Sequence, residues 1–272
     1  MKIVAAAVLV LLAGSLYANG VRSESSGQTV LKVGVMGEEL KPAWNKAAEI
    51  AARDGVKIEL VTFSDYAVPN RALSDGDIDL NSFQHDAFLQ NEIANQKYQI
   101  QGVGNTVIFF LGVYSKKISS LDQLKNGDTV VIMNDATNGG RALKVLESAG
   151  VFKLDPSKGN VPTVRDIIDN PKNIKIVEVD AAQTWRTLDD PVVAAAVVNS
   201  NFVIDAGGNP QRDAIFIKPI DPVADKPYIN LVAARIRDQG NPAYAIAVKA
   251  FQTDEVAKVL EESLQGTALP AW

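Results

Sequence analysis

Strand-like and helix-like segments alternate along this chain in two successive series, and that order constrains its fold more than any other feature. The first series opens with the apolar, β-branched segment 30–36 and a helical segment from Pro42; the second opens near Ser119. Such alternation predicts an α/β fold. Because the two series are similar, we expect two lobes joined by extended strands.

The N-terminus predicts export. Lys2 precedes an uncharged apolar run over 3–13, and small residues follow up to Ala18, which is the pattern of a cleaved signal peptide over 1–18. Residues 19–29 are polar and predict a flexible tether. The run Leu12-Ala13-Gly14-Ser15 is similar to a bacterial lipobox whose cysteine is replaced by Ser15. Since lipidation needs a thiol, we expect a periplasmic or envelope-associated protein without a lipid anchor.

Composition and motif content exclude several functions. The net charge of -5 argues against nucleic-acid binding. With no cysteine and one histidine, a structural zinc site is not expected, and the turn containing Asp75, Asp77 and Asp79 lacks the rest of a calcium loop. No complete phosphate-binding or dinucleotide motif is present. We therefore predict no metal, no cofactor and no enzymatic activity.

An aromatic stretch surrounds the single histidine. Phe83, His85 and Phe88 follow one another closely, and Tyr66 lies just upstream. Aromatic faces with one polar ring nitrogen suit the wall of a pocket for a small amphipathic ligand. A histidine buried among core aromatics explains the same pattern equally well, so the residues alone leave both interpretations open.

Polar residues of the second half could bind the charged groups of an amino acid. A Gly-containing loop is predicted over 134–140 and a helix over 141–149, so that Arg141 would meet an anion at a helix start. Asn199 follows an apolar strand and Asn230 lies inside another, where Asn is unfavourable. A helix cap with a surface arginine, and turn or edge asparagines, remain open alternatives. Two further helices are predicted over 164–169 and 181–188.

Motifs spread over nearly the whole mature chain, from about Lys32 to Trp272, together resemble the NlpA family, the methionine-binding proteins of bacterial ABC importers. They include Phe63-Ser64-Asp65-Tyr66, Phe83-Gln84-His85, Asn134-Asp135-Ala136-Thr137-Asn138, Asn170-Pro171-Lys172-Asn173 and Pro227-Tyr228-Ile229-Asn230-Leu231. The resemblance implies a two-lobed periplasmic substrate-binding protein fold of type II, with two hinge strands and a ligand cleft between the lobes. We expect 30–115 with 226–272 to form lobe 1 and 116–225 to form lobe 2.

The resemblance also implies a set of site residues. Those expected to bind methionine are Tyr66, Phe83 and His85 around the thioether, Arg141 and Asn138 at the carboxylate, and Asn199 and Asn230 at the amino and carboxylate groups. Expected neighbours of the site are Phe88, Asn105 and Tyr228. As partners the family implies methionine and the permease subunits of an ABC importer, and we expect a monomer.

The chain departs from the family pattern at several points. Segment 37–44 lacks the usual Pro-His, Phe109-Phe110 replaces Tyr-Pro, and Met133 replaces a proline. These changes leave open a different ligand: D-methionine, a methionine-containing dipeptide or another apolar amino acid. Alternatives of other classes are a secreted hydrolase using His85 and a surface interaction protein that has lost transport.

Overall fold

The strands form where β-branched and apolar residues cluster, as in Thr29–Met36. The computed structural model describes residues 28–159, 161–264 and 266–272, so the predicted signal peptide, Ser15 and the tether up to residue 27 lie outside the described residues. The strands are β1 Thr29–Met36, β2 Val56–Phe63, β3 Leu80–His85, β4 Ile100–Phe109, β5 Leu111–Tyr114, β6 Thr129–Met133, β7 Lys153–Leu154, β8 Ile167–Asp169, β9 Lys175–Val179, β10 Val193–Asn199, β11 Ala214–Ile217, β12 Ile229–Arg235 and β13 Ala268–Pro270.

The helices start at recognisable sequence signals. Proline occupies the first turn of three of them, where its missing N–H costs nothing, and Asp135 or Asn241 accepts a backbone N–H as an N-cap. The α-helices are α1 Lys41–Ala51, α2 Pro69–Asp75, α3 Asp86–Gln96, α4 Ala136–Ser148, α5 Ser200–Asp205, α6 Pro242–Phe251 and α7 Asp254–Leu264. In the part of the chain that the structure describes, no helix is long and apolar enough to cross a bilayer.

Two sheets organise the molecule. The first has the order β13-β4-β12-β3-β1-β2 and the second has the order β11-β5-β10-β6-β9. Within the first, β1 pairs in parallel with β2 and β3; within the second, β6 pairs in parallel with β9 and β10. The remaining pairs are antiparallel. In such sheets ligands bind beyond the carboxyl ends of the parallel strands.

The chain passes between the two sheets at two points. Phe110 separates β4 of the first sheet from β5 of the second, and residues 218–228 lead from β11 of the second sheet to β12 of the first. Each sheet therefore contains one end of both crossings: β4 and β12 lie in the first sheet, and β5 and β11 lie in the second.

Each sheet has its own hydrophobic core. In the first, α1, α6 and α7 cover one face, and the fully buried Trp44 contacts Phe251 with ring centroids 4.7 Å apart. In the second, α4 packs on the central strands through residues such as Leu143 and Leu146. These separate cores hold the strand ends of the two sheets in fixed positions, and those ends carry the candidate site.

The structure corrects three local predictions. Helix α4 begins at Ala136 rather than at Arg141, because Asp135 caps it and because Gly139 fits closely beneath the preceding strand. A Cβ at Gly139 would lie 2.7 Å from the carbonyl oxygen of Met133. The predicted helix over 164–169 is a short 3-10 turn followed by β8, and 181–188 forms two separate 3-10 turns. Such short, tightly wound pieces lack the length that a stable α-helix needs.

Candidate functional site

A cavity lies where strand ends and helix starts of both sheets meet. The first sheet contributes the end of β3 and the start of β12, and the second contributes the N-terminal turns of α4 and α5. The lining residues are Glu39, Tyr66, Phe83, Gln84, His85, Phe88, Phe109, Phe110, Asn138, Arg141, Asn199, Ser200, Asn201 and Asn230.

Arg141 provides the cationic group of the cavity. Its side chain is 7% exposed, its Nη2 donates to the Phe109 carbonyl at 2.6 Å, and its guanidinium carbon lies 4.6 Å from the centroid of the Tyr228 ring. Burial lowers the pKa of the guanidinium, but arginine remains charged in proteins. Among the described residues no carboxylate lies within ion-pair distance of Arg141. Its remaining N–H groups are therefore available to an anionic ligand.

His85 adds a neutral donor beside this cation. Its Nδ1 accepts a hydrogen bond from the backbone N–H of Phe88 at 3.0 Å, so the neutral ring carries its proton on Nε2. Burial, reinforced by the charge of Arg141, lowers the pKa of His85 to about 3. Nε2 is buried, and no described residue accepts its hydrogen bond. A ligand oxygen near Arg141 can thus accept from both side chains.

The same geometry bears on the hydrolase alternative. A triad needs a carboxylate on one ring nitrogen of His85 and a serine hydroxyl on the other. In the part of the chain that is described, Nδ1 is occupied by a backbone amide and Nε2 contacts no hydroxyl partner. Nor do the described residues bring together three or more metal-ligating side chains. The described residues around His85 therefore do not form a Ser-His-Asp triad.

A chain of amides connects α4 to the end of β10. The Asp135 carboxylate accepts from the backbone N–H of Asn138 at 2.8 Å and from its side-chain amide at 3.1 Å. Asn138 Oδ1 in turn accepts from Asn199 Nδ2 at 3.0 Å. Asn199 is left with a buried Oδ1 that no described group satisfies. Asn138 therefore positions Asn199, whose free oxygen can accept from a ligand ammonium.

Aromatic rings form the apolar wall. The Tyr66 ring centroid lies 5.9 Å from that of Phe83 and 5.9 Å from that of Phe88, and it lies 5.3 Å from Phe202. The Tyr66 hydroxyl donates to Asn201 Oδ1 at 2.7 Å, which fixes the ring and ties the two sheets together across the cavity. Polarisable groups such as a thioether pack well against ring edges of this kind.

All seven residues expected to contact the ligand line this one cavity, and so does Phe88. Asn230 lies in β12 directly opposite His85 in β3, which explains the unusual asparagine in an apolar strand. Tyr228 lies behind the wall, with its ring edge-on to His85 at 5.3 Å. Asn105 is different: it is exposed in β4, because its neighbour Thr106 takes the buried face of the strand. Asn105 is not part of the cavity.

The sequence analysis missed six lining residues: Glu39, Gln84, Phe109, Phe110, Ser200 and Asn201. Three of them carried a signal, since Glu39 and the two phenylalanines belong to the segments that depart from the family pattern. Ser200 and Asn201 follow Asn199 directly and become lining residues because α5 starts there. Gln84 lies within the family motif Phe83-Gln84-His85, but the motif did not indicate its role, which depends on a distant partner, Asn70.

Comparison with solved structures places the fold in a known class. The chain superposes with a TM-score of 0.84 on the crystal structure of the methionine binding protein MetQ, at 41% identity and with 89% of this chain and 98% of that chain covered. It superposes with a TM-score of 0.83 on a nutrient binding protein from Burkholderia cenocepacia bound to methionine, at 38% identity and with 89% and 100% covered. The fold is the two-lobed fold of periplasmic substrate-binding proteins.

The family follows from the sequence comparison. Residues 31–272 match the model of the NlpA lipoprotein family, and the chain belongs to this family. It is 40% identical over 264 residues to the D-methionine-binding lipoprotein MetQ of Escherichia coli (strain K12), with 96% of this chain and 95% of that relative covered. The resemblance found in the motifs is thereby confirmed.

Proposed function

We propose that this protein is an extracytoplasmic solute-binding protein that binds methionine and delivers it to an ABC permease, without catalysing a reaction. The observation that carries the proposal is the buried guanidinium of Arg141, which lines the cavity between the two sheets and has no carboxylate partner among the described residues. A buried cation of this kind favours an anionic ligand group. The similarity to proteins named for methionine binding supports the same ligand.

In this proposal the methionine carboxylate accepts hydrogen bonds from Arg141 and from Nε2 of His85. The ammonium donates to Oδ1 of Asn199, which is otherwise unsatisfied. Asn230 lies beside His85 and completes the polar end, while the side chain packs against the rings around Tyr66. The unsatisfied Nε2 of His85 and Oδ1 of Asn199 thereby gain partners, which offsets their burial.

The proposal includes a division into lobes. The expected bounds are 30–115 with 226–272 for lobe 1 and 116–225 for lobe 2. Because β5 pairs with β10 and β11 of the second sheet, we move the first boundary to Phe110. The passage from β4 to β5 through Phe110 and the segment 218–228 act as the two hinges. Closing the lobes over the ligand would bring Arg141 and Asn199 of lobe 2 onto His85 and Asn230 of lobe 1. The permease would then recognise the closed form.

We further propose that the chain is exported by residues 1–18, remains in the periplasm or at the cell envelope, and acts as a monomer. Relatives bear names such as outer membrane lipoprotein 3 in Mannheimia haemolytica, which is 42% identical over 243 residues. In this chain Ser15 stands at the lipobox position, so the protein lacks the thiol that carries the lipid.

Isothermal titration calorimetry with L-methionine and D-methionine tests the function. We expect one ligand per chain, and a ligand at about 100 times its Kd adds about 2.7 kcal/mol to the free energy of unfolding. Leucine and a methionine-containing dipeptide, titrated in parallel, separate methionine from the alternative ligands. Absence of heat and of any melting shift with all of these compounds would refute the solute-binding proposal.

A further inference from the structure

Glu39 is an acidic group inside the cavity that the proposed methionine contacts do not use. Its side chain is 8% exposed and lies in the turn between β1 and α1. Its Oε1 accepts a hydrogen bond from the Ser200 hydroxyl at 2.5 Å. No lysine, arginine or histidine among the described residues forms an ion pair with it. A carboxyl group buried in this way lacks the partner that such groups normally have.

Glu39 and Arg141 both line the cavity, and a row of side chains along its aromatic wall leads from one to the other. Glu39 contacts Ser200, and the adjacent Asn201 accepts from the Tyr66 hydroxyl at 2.7 Å. From Tyr66 the wall continues through Phe88, 5.9 Å between centroids, to His85, a further 6.3 Å.

Arg141 lies beyond His85, against the Tyr228 ring. Along this wall the rings of Tyr66 and Phe88 lie between the carboxyl group of Glu39 and the guanidinium of Arg141. A ligand that follows the wall from Arg141 to Glu39 therefore packs against these rings.

We propose that Glu39 is a specificity-determining residue that binds a positively charged nitrogen of the ligand, at the end distant from the carboxylate held by Arg141. This inference rests on the proposed function and narrows its ligand class. The shared chemistry is a carboxylate, an apolar chain that can pack on the aromatic wall, and a distal ammonium. Such an ammonium is either the N-terminus of a short peptide or the side chain of a diamino acid.

The surroundings of Glu39 favour a cation. The carboxylate of Asp205, in the exposed last turn of α5, also faces this end, where Oδ1 accepts from the backbone N–H of Glu38 at 3.2 Å. The other titratable groups acting here are the phenols of Tyr66 and Tyr114, whose pKa values are raised by burial and then by the charge of Glu39. Burial raises the pKa of Glu39 itself to about 8, and Asp205 adds to this effect. A ligand ammonium would stabilise the ionised carboxylate.

Two matched ligand pairs test the inference by calorimetry at pH 7.5. Glycyl-L-methionine and N-acetyl-L-methionine differ in the distal ammonium, and so do L-lysine and L-norleucine. For the pair that contains the correct ligand class, we expect wild type to bind the ammonium compound at least about 30-fold tighter than its uncharged counterpart. This factor is the lower end of the affinity lost when a buried charge loses its partner. E39Q should bring this ratio close to one. E38Q, which changes an exposed neighbouring carboxylate, should preserve it.

The outcomes separate the two proposals. A wild-type ratio near one in both pairs, or a ratio that survives E39Q, overturns the role of Glu39. If L-methionine binds while the ratios stay near one, the proposed function stands and only this inference fails. If lysine binds and methionine does not, the methionine assignment fails and the inference stands. If E39Q folds poorly, a wild-type ratio near one in both pairs still overturns the inference.

Discussion

Replacing Glu39 by glutamine should change how the stability of this protein depends on pH. Burial, with a further contribution from Asp205 and against the Ser200 hydrogen bond, raises the pKa of Glu39 from 4.5 to about 8. The native state thus holds this proton more tightly than the unfolded state does. As pH rises from 4.5 to about 8, the unfolded chain ionises first, so the free energy of unfolding of wild type falls.

The size of the effect follows from the two pKa values. The difference between about 8 and 4.5, at about 1.4 kcal/mol per pKa unit, corresponds to about 5 kcal/mol. Glutamine has a similar shape and cannot ionise, so E39Q should lack this loss. The free energy of unfolding of E39Q minus that of wild type should therefore rise by about 5 kcal/mol between pH 4.5 and pH 8 and stay constant above it.

Urea denaturation of the ligand-free proteins, followed by tryptophan fluorescence at pH values from 5 to 9, measures this difference. His85 also contributes to the pH profile, because burial lowers its pKa from 6.5 to about 3 and stability is lost as pH falls through that range. That contribution is common to both proteins and cancels in the difference. A difference that stays flat from pH 5 to pH 9 would show that Glu39 is not buried as a neutral acid.

Three further predictions follow from the site and its scaffold. R141A should weaken methionine binding by about 2–5 kcal/mol in calorimetry, whereas the exposed R53A should leave the affinity unchanged; equal affinities in both variants would contradict the carboxylate role of Arg141. G139A should lower the free energy of unfolding, measured by urea denaturation, by about 1–3 kcal/mol, because its Cβ would overlap a main-chain oxygen. G240A, where the space around the added Cβ is open, should leave it unchanged. An unaffected G139A would mean that α4 can shift. Wild type should take up no fatty-acid label in a bacterial host and S15C should take it up; label on wild type would rule out the lipobox interpretation of Ser15.

The sequence predicted the strands whose own residues carry the signal, and it missed those that depend on distant partners. Segments such as 56–63 and 129–133 are apolar and β-branched, and both form strands. Strand β3 escaped notice because Asn81 and Gln84 make it look like a loop. In the structure both amides contact the buried Asn70, at 2.9 Å and 2.6 Å, so the polar groups are satisfied only after the chain has folded.

The site shows the same division. The family motifs identified Arg141, His85 and the asparagines, because these residues belong to motifs that occur in this chain in the order that the family has them. Glu39 lies in a segment that departs from the family pattern, but this departure did not indicate a lining role, since its hydrogen-bond partner Ser200 is 161 positions away, at the start of α5. The contact between Glu39 and Ser200 forms only when the two sheets come together, so it cannot be inferred from either segment alone.

Native mass spectrometry of the protein purified without denaturation tests the central claim most directly. For wild type we predict a population heavier by one small zwitterionic ligand of the methionine class, which is released on mild collisional activation. R141A should lack this population. Tandem fragmentation of the released species identifies it and shows whether a distal ammonium is present. A wild-type preparation that carries no ligand, and gains none when methionine or the four matched compounds are added, would contradict the account.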